Sequence, residues 1–403
     1  MTDDKRIQDY AELTVQIGAN VAPGQVVQIN AHLDHAPFAR AVAEASYRAG
    51  AKYVDILYWD VYGKRARLLH AAEDTLSWTP PWLDDRNEWL VENRGVSISI
   101  RGNANPDILS DLDQSRVAKD RMPDLASRLP LVHSEEVNWT IVAFPTAGWA
   151  EAVFGEPDLE RLWDDISRFM RLDQPDPVAA WKEHLTKLGE RAKQMNERGF
   201  DAIHYLGLGT DLKVGFLPNS RWHAAGFETR WGRKHSPNLP TEEIFTTPDR
   251  TRAEGKIRST RPLVLTGTVA RDLELELRDG RIVGVTASSG EDAVRGELAA
   301  DEGAARLGEV ALVDGSSPIG QTGITYFETL LDENATSHIA YGAGYPHCVK
   351  GGYEASADER LAMGINRSEV HTDFMVGGED LEIYGLDKDG SSTPVILGDE
   401  WQL

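Results

Sequence analysis

The chain is poor in cysteine. Cys348 is the only one among 403 residues, so an intramolecular disulfide and a cysteine-based zinc site are both excluded. Any metal must rest on His, Asp and Glu. Positive charge is also scarce, with 42 Lys and Arg against 65 Asp and Glu and a formal net charge of -23. Phosphate backbones and anionic membrane surfaces are bound by clustered Lys and Arg, so nucleic acid and membrane are not expected partners. No stretch approaches the 18 or more consecutive apolar residues of a membrane span. The first residues, MTDDKRIQDYAEL, lack the basic segment and apolar run of a signal peptide, so the expectation is a soluble cytoplasmic protein. What is present is ordinary globular material, 41% hydrophobic and 27% charged, enough for more than one buried core.

The pattern of apolar residues divides the chain in two. Ile7, Tyr10, Ala11, Thr14 and Ile17 recur at helical spacing. Pro23-Gly24 turns into the run Val26–Ile29. A helix follows over about 38–48, closed by Gly50, and a strand over 53–58. Short connections make this a βαβ unit with parallel strands. Further strands are expected at Val96–Ile100 and Trp139–Phe144. Helices are expected over 113–128 and much of 158–198. After Gly199 the character changes. Leu273, Leu275 and Leu277 alternate with charged residues, Asp279-Gly280 is a hairpin turn, and Arg281–Val285 returns. A helix is expected over 290–300. The expected fold is therefore α/β: an N-terminal α/β domain with parallel strands over 1–198, and a C-terminal α+β domain over 199–403 that carries the chemistry.

Histidines and acids of that second half bunch in four segments. Asn238–Phe245 presents Glu242 and Glu243 after Pro240; adjacent residues of an extended chain point to opposite sides, so only one should face a given site. Glu309 opens the apolar strand Leu307–Val313. His338 sits among small and apolar residues in Asp332–Tyr345. His371 and Asp373, two apart in a strand, share a face. Each segment has an ordinary structural reading: a helix-capping Glu, a strand-end Glu, a core His, a surface His–Asp pair. Together they supply three carboxylates and two imidazoles. Two metals that share one carboxylate and take two further residues each need five ligands. Paired metals roughly 3.5–4 Å apart are a common hydrolytic arrangement. The donor types suit Zn, Co or Mn alike.

With these segments in view, the sequence resembles the aminopeptidase T family, which includes aminopeptidase S-type enzymes. The resemblance is carried by NLPTEEIFTTP, RLGEVALVD, LLDENATSHIAYGAGY and SEVHTDFMVGG, and in the first half by IGANVAPGQVVQINA and RAGAKYVDILYWD. It covers essentially the whole chain. It implies that Glu243, Glu309, His338, His371 and Asp373 bind two divalent metal ions, that Tyr345 is an active-site tyrosine, and that the protein is a homodimer. It implies hydrolysis of the N-terminal bond of peptides with a free N-terminus by a metal-activated water. The residues alone also admit a dinuclear hydrolase of another amide or ester bond, or a non-catalytic metal-binding protein. A nucleotide-dependent oxidoreductase is disfavoured because Asn30–Asp34 lacks the glycine pattern of a dinucleotide site. Gly207–Asp211 lacks a third glycine and a following helix, and reads as a turn between strands. His32 and His35 read as ordinary residues near a strand end.

Overall fold

The computed structural model describes residues 4–102, 105, 108–109, 111–120, 122, 131, 134–224, 226–265 and 268–403. The chain forms two compact units: residues 1–184 with 226–240, and residues 185–225 with 241–403. The boundary thus lies elsewhere than at 198/199. Helix Pro177–Arg198 buries Leu188, Ala192 and Met195 in the core of the second unit, so its C-terminal half belongs there. The segment 226–240 belongs to the first unit because Asn238–Leu239 adds a strand to that unit's sheet.

In the first unit, helix α1 (Lys5–Leu13) is capped by Asp4, whose side chain accepts from the Arg6 amide, and it buries Ile7, Tyr10, Ala11 and Leu13. The chain widens into a π-helical turn over Thr14–Gly18, which keeps Thr14 and Ile17 buried as the spacing predicts. Four parallel strands follow: β1 (Val26–His32), β2 (Tyr53–Trp59), β3 (Val96–Arg101) and β4 (Asn138–Ala143). Their order is β4-β3-β1-β2, with Asn238–Leu239 outside β4. Helix α2 (Ala36–Arg48) makes the β1–β2 crossover. At the end of β1, His35 is fully buried; its Nε2–H donates to the Gly102 carbonyl at 2.7 Å and its Nδ1 accepts from the His32 amide at 3.4 Å. Burial pushes this ring down to about 4, so it is a neutral structural group. The helix expected over 113–128 is seen as Gln114–Lys119; residues 121 and 123–128 lie outside the described ones.

The second unit is antiparallel. An eight-stranded sheet runs through Arg281–Thr286, Glu274–Arg278, Pro248–Arg258, Thr210–Phe216, Ala202–Gly207, Leu381–Leu386, Ser392–Leu397 and Glu400–Trp401. The Asp279-Gly280 hairpin and the turn at Leu208-Gly209 join neighbours within it. A second sheet holds β5 (Ile244–Thr246), β6 (Leu307–Leu312), β7 (His338–Gly342) and β8 (His371–Met375), in the order β8-β7-β6-β5, with His223–Ala224 beyond β5. Leu212, Ile257, Leu275, Val310, Ile339 and Phe374 belong to one buried core that the sheets share. No described helix is long and apolar enough to cross a membrane.

Candidate metal centre

Strand register decides which side chains meet. Asp373 pairs with Ala340 and His371 with Gly342; residues directly opposite share a face, so His371, Asp373, Ala340 and His338 lie on one side. Glu309 pairs with Ala340, and Ala311 with His338 and Phe245, which puts Glu309 on that side too. Counting back two from Phe245 selects Glu243 rather than Glu242, as the alternation of an extended segment requires. The ladder slips by one residue at Gly308, a bulge that aims Glu309 at this face. The bulge needs glycine, because a Cβ there would lie 2.1 Å from the Ala343 carbonyl oxygen. Small residues, Ala311 and Ala340, lie between the functional ones.

All five expected ligands therefore converge. Glu243, Glu309 and His338 form one group and Glu309, His371 and Asp373 another, each with its ligating atoms within 4.8 Å of one another. Glu309 belongs to both. His338 Nε2 is 3.1 Å from Glu243 Oε2; His371 Nε2 is 3.2 Å from Glu309 Oε2 and 3.5 Å from Asp373 Oδ1. The opposite ring nitrogens are tied back: His371 Nδ1–H donates to the Ala343 carbonyl at 2.8 Å, and His338 Nδ1–H to Thr336 at 3.4 Å. This fixes both rings with Nε2 toward the carboxylates, the backing that metal-ligating histidines carry.

The electrostatics show what the cluster demands. Burial opposes a charged His338, but the hydrogen bond and charge of Glu243, with Asp373 and Glu309, outweigh it and push the ring up to about 10. Burial likewise opposes charge on His371, and Asp373 and Glu309 drive it well above its ordinary value. Burial pushes Glu309 up to about 7 against the lowering hydrogen bond of His371. Asp373 is raised by burial, yet His371 and His338 hold it below the ordinary carboxylate range. Among the described residues, the buried oxygens Glu243 Oε2 and Asp373 Oδ1 have no partner beyond the His338 and His371 rings, at 3.1 and 3.5 Å. Imidazole and carboxylate donors, buried and short of positive charge, fit divalent cations.

Tyr345 joins the same cluster. Its Oη lies 3.0 Å from His371 Nε2. Thr247 Oγ1 accepts from the Tyr345 amide at 2.7 Å and donates to its carbonyl at 3.1 Å, which pins the residue. Burial, then the charges of Glu309 and Asp373, keep its phenol protonated. Glu333 was not singled out in the sequence. It is buried in the turn Glu333–Ala335, and burial with the charges of Asp373 and Glu243 raises it well above the ordinary range. Its one signal is its place five residues before His338 in the same segment. Asn334 orders this corner, accepting from the Glu242 amide at 2.7 Å and donating to the Leu330 carbonyl at 2.9 Å. Glu242 is buried beside it but belongs to neither three-residue group.

Comparison with known proteins bears on the whole chain. A family model described as thermophilic metalloprotease (M29) matches residues 3–401. The sequence is 39% identical to aminopeptidase T of Thermus thermophilus and 36% identical to aminopeptidase PepS of Streptococcus thermophilus, with 98% of each chain covered in both cases. The structure matches that of wild-type AmpT from Thermus thermophilus with a TM-score of 0.92, at 37% identity and over 100% of both chains.

Proposed function

The chain belongs to the M29 family of thermophilic metalloproteases and is a metallo-aminopeptidase; from that premise we propose that it works with two divalent cations held by Glu243, Glu309, His338, His371 and Asp373. The observation that carries this reading is the pair of three-residue groups that share Glu309. Such cations supply Lewis acidity, which lowers the pKa of water from about 15.7 to about 7 and polarises a carbonyl. The O and N donors suit Zn, Co or Mn.

The chain's own residues do the rest. Glu309 faces both groups and would be the carboxylate that the two cations share. The Tyr345 hydroxyl keeps its proton and donates it to the oxygen that gains negative charge as the scissile carbonyl becomes tetrahedral. Glu333 is next to the cluster but in neither group. Burial and the charges of Asp373 and Glu243 hold its pKa above the ordinary carboxylate range, which suits it to take the proton of the attacking water and return it to the leaving amine. With the cations held by these residues, an open position beside them would take the neutral α-amine of a substrate, a group that an internal peptide bond lacks. The substrates are peptides with a free N-terminus, and the protein acts as a cytoplasmic homodimer.

The test is hydrolysis of aminoacyl-p-nitroanilides after chelation and after return of Zn, Co or Mn, beside an N-acetylated substrate. Metal-dependent release that stops on N-acetylation supports the proposal. Activity that survives complete chelation would overturn it.

A further inference from the structure

Parallel strands covered on both faces ordinarily carry apolar side chains on both. The sheet of the first unit departs from this. In its register, Gln28 lies between Asp55 and Ser97, Asn30 lies between Leu57 and Ser99, and His32 lies beside Trp59. These side chains share one face, while Val27, Ile29 and Ile98 make the other face apolar. The polar face is not a surface: Gln28 is 4% exposed and Ser99 5%.

It lines a cavity with Trp59 of β2, and with Arg86 and Asn87 of the helix Pro81–Glu92. The cavity runs along β1 and β3, from Gln28 and Ser97 to His32 and Arg101, and reaches the C-terminal end of β2 at Trp59. The chain runs from β1 to β2 on one side and then from β2 past β1 to β3 on the other, and such a reversal of strand order opens a crevice in which α/β sheets bind ligands. Its volume is about 50 Å³, several times what one water requires, and it is open on one side.

Among the described residues, Gln28 and Arg86 of its lining each hold a buried atom without a partner. Gln28 Nε2 donates to Asn30 Oδ1 at 3.1 Å and to Asn87 Oδ1 at 3.4 Å, but Gln28 Oε1 has no donor. Arg86 Nε faces Asp55 Oδ2 at 3.3 Å, but its buried Nη1 has no acceptor. A ligand that satisfies both brings an N–H donor and an anionic acceptor to one cavity. A phosphate would leave the Gln28 oxygen facing only acceptors, and a simple amine would leave Arg86 unmatched.

We propose that this cavity binds the head group of a free α-amino acid, its ammonium donating to Gln28 Oε1 and its carboxylate accepting from Arg86, with the amino-acid side chain toward the open mouth. The assignment rests on the cavity alone. Under the aminopeptidase reading, the ligand class is that of the released product, bound at a site without metal.

The experiment is isothermal titration of the full chain after chelation, with glycine, leucine and glutamate as probes and leucinamide and N-acetyl-leucine as controls. One amino acid binds per chain, and each control, lacking one charge, binds at least about tenfold more weakly. Gln28→Leu and Arg86→Met each weaken binding at least about tenfold, Gln28→Glu keeps it, and all three retain peptidase turnover within about twofold once metal is returned. The proposal is overturned by no binding up to about 10 mM, by controls that bind as well as amino acids, or by a folded Gln28→Leu or Arg86→Met protein that binds like the parent. Should Gln28→Leu fail to fold, Arg86→Met and the two control ligands decide. Because binding is read without turnover, the result stands whatever the metal centre proves to do.

Discussion

Replacing Glu309 by Gln keeps the shape of the side chain and removes its charge. Glu309 is the one residue common to both three-residue groups, so the change should weaken both cations and not one. The ligating atoms of each group lie within 4.8 Å of one another, which sets the scale of the interaction. Unit charges about 4 Å apart at an effective dielectric near 20 interact by about 4 kcal/mol. That corresponds to about three decades in each dissociation constant. Glu243→Gln is the matched control, since Glu243 belongs to one group only, and it should cost one cation while the other stays bound. The assay is metal content per chain by mass spectrometry after dialysis against graded free Zn or Co, with p-nitroanilide turnover on the same samples. Parent protein should hold two ions, Glu243→Gln one, and Glu309→Gln neither at concentrations that saturate the parent. A Glu309→Gln protein that keeps two ions at parental affinity, or a Glu243→Gln protein that loses both together, would refute the shared-carboxylate argument.

Tyr345→Phe should lower kcat by about 10²–10³ with metal content unchanged, because only the donor to the developing oxyanion is lost; full activity with both ions bound would remove Tyr345 from the mechanism. Stability of the chelated protein should fall as pH rises. The raised pKa of His338 contributes stability that is full below 6.5 and lost as pH rises through about 10. Raised Glu309 contributes in the same sense, full below 4.5 and lost through about 7. Cations favour the deprotonated ligands, so the Tm gap between metal-loaded and chelated protein should widen from about pH 5 to about pH 10; thermal melts with a pH-independent gap would contradict this. Gly342→Ala should weaken metal binding by at least about tenfold although Gly342 is no ligand. It has φ +103°, and its Cβ would lie 2.0 Å from the Val370 carbonyl oxygen, displacing the strand that carries His371. A metal titration of that variant indistinguishable from the parent would show that the strand absorbs the change.

The sequence by itself determined the local patterns and the chemistry they carry. Two-residue alternation was enough to pair His371 with Asp373 and to restrict the Glu242-Glu243 pair to a single inward carboxylate. A lone cysteine left His, Asp and Glu as the available metal ligands. The βαβ crossover, the Asp279-Gly280 hairpin and the five convergent residues were legible because each depends on neighbours within a few positions or on a short motif. Tertiary structure decided what depends on register and strand order between distant segments. It set the bulge at Gly308 that turns Glu309 onto the common face, the return of 226–240 to the first unit, and the burial that places Glu333 among charges from three other strands. Val-Gln-Ile-Asn and Val-Ser-Ile-Ser-Ile read only as strands. That their polar halves face one another across β1 and β3, beneath Arg86 and away from water, follows from a parallel register that no single strand encodes.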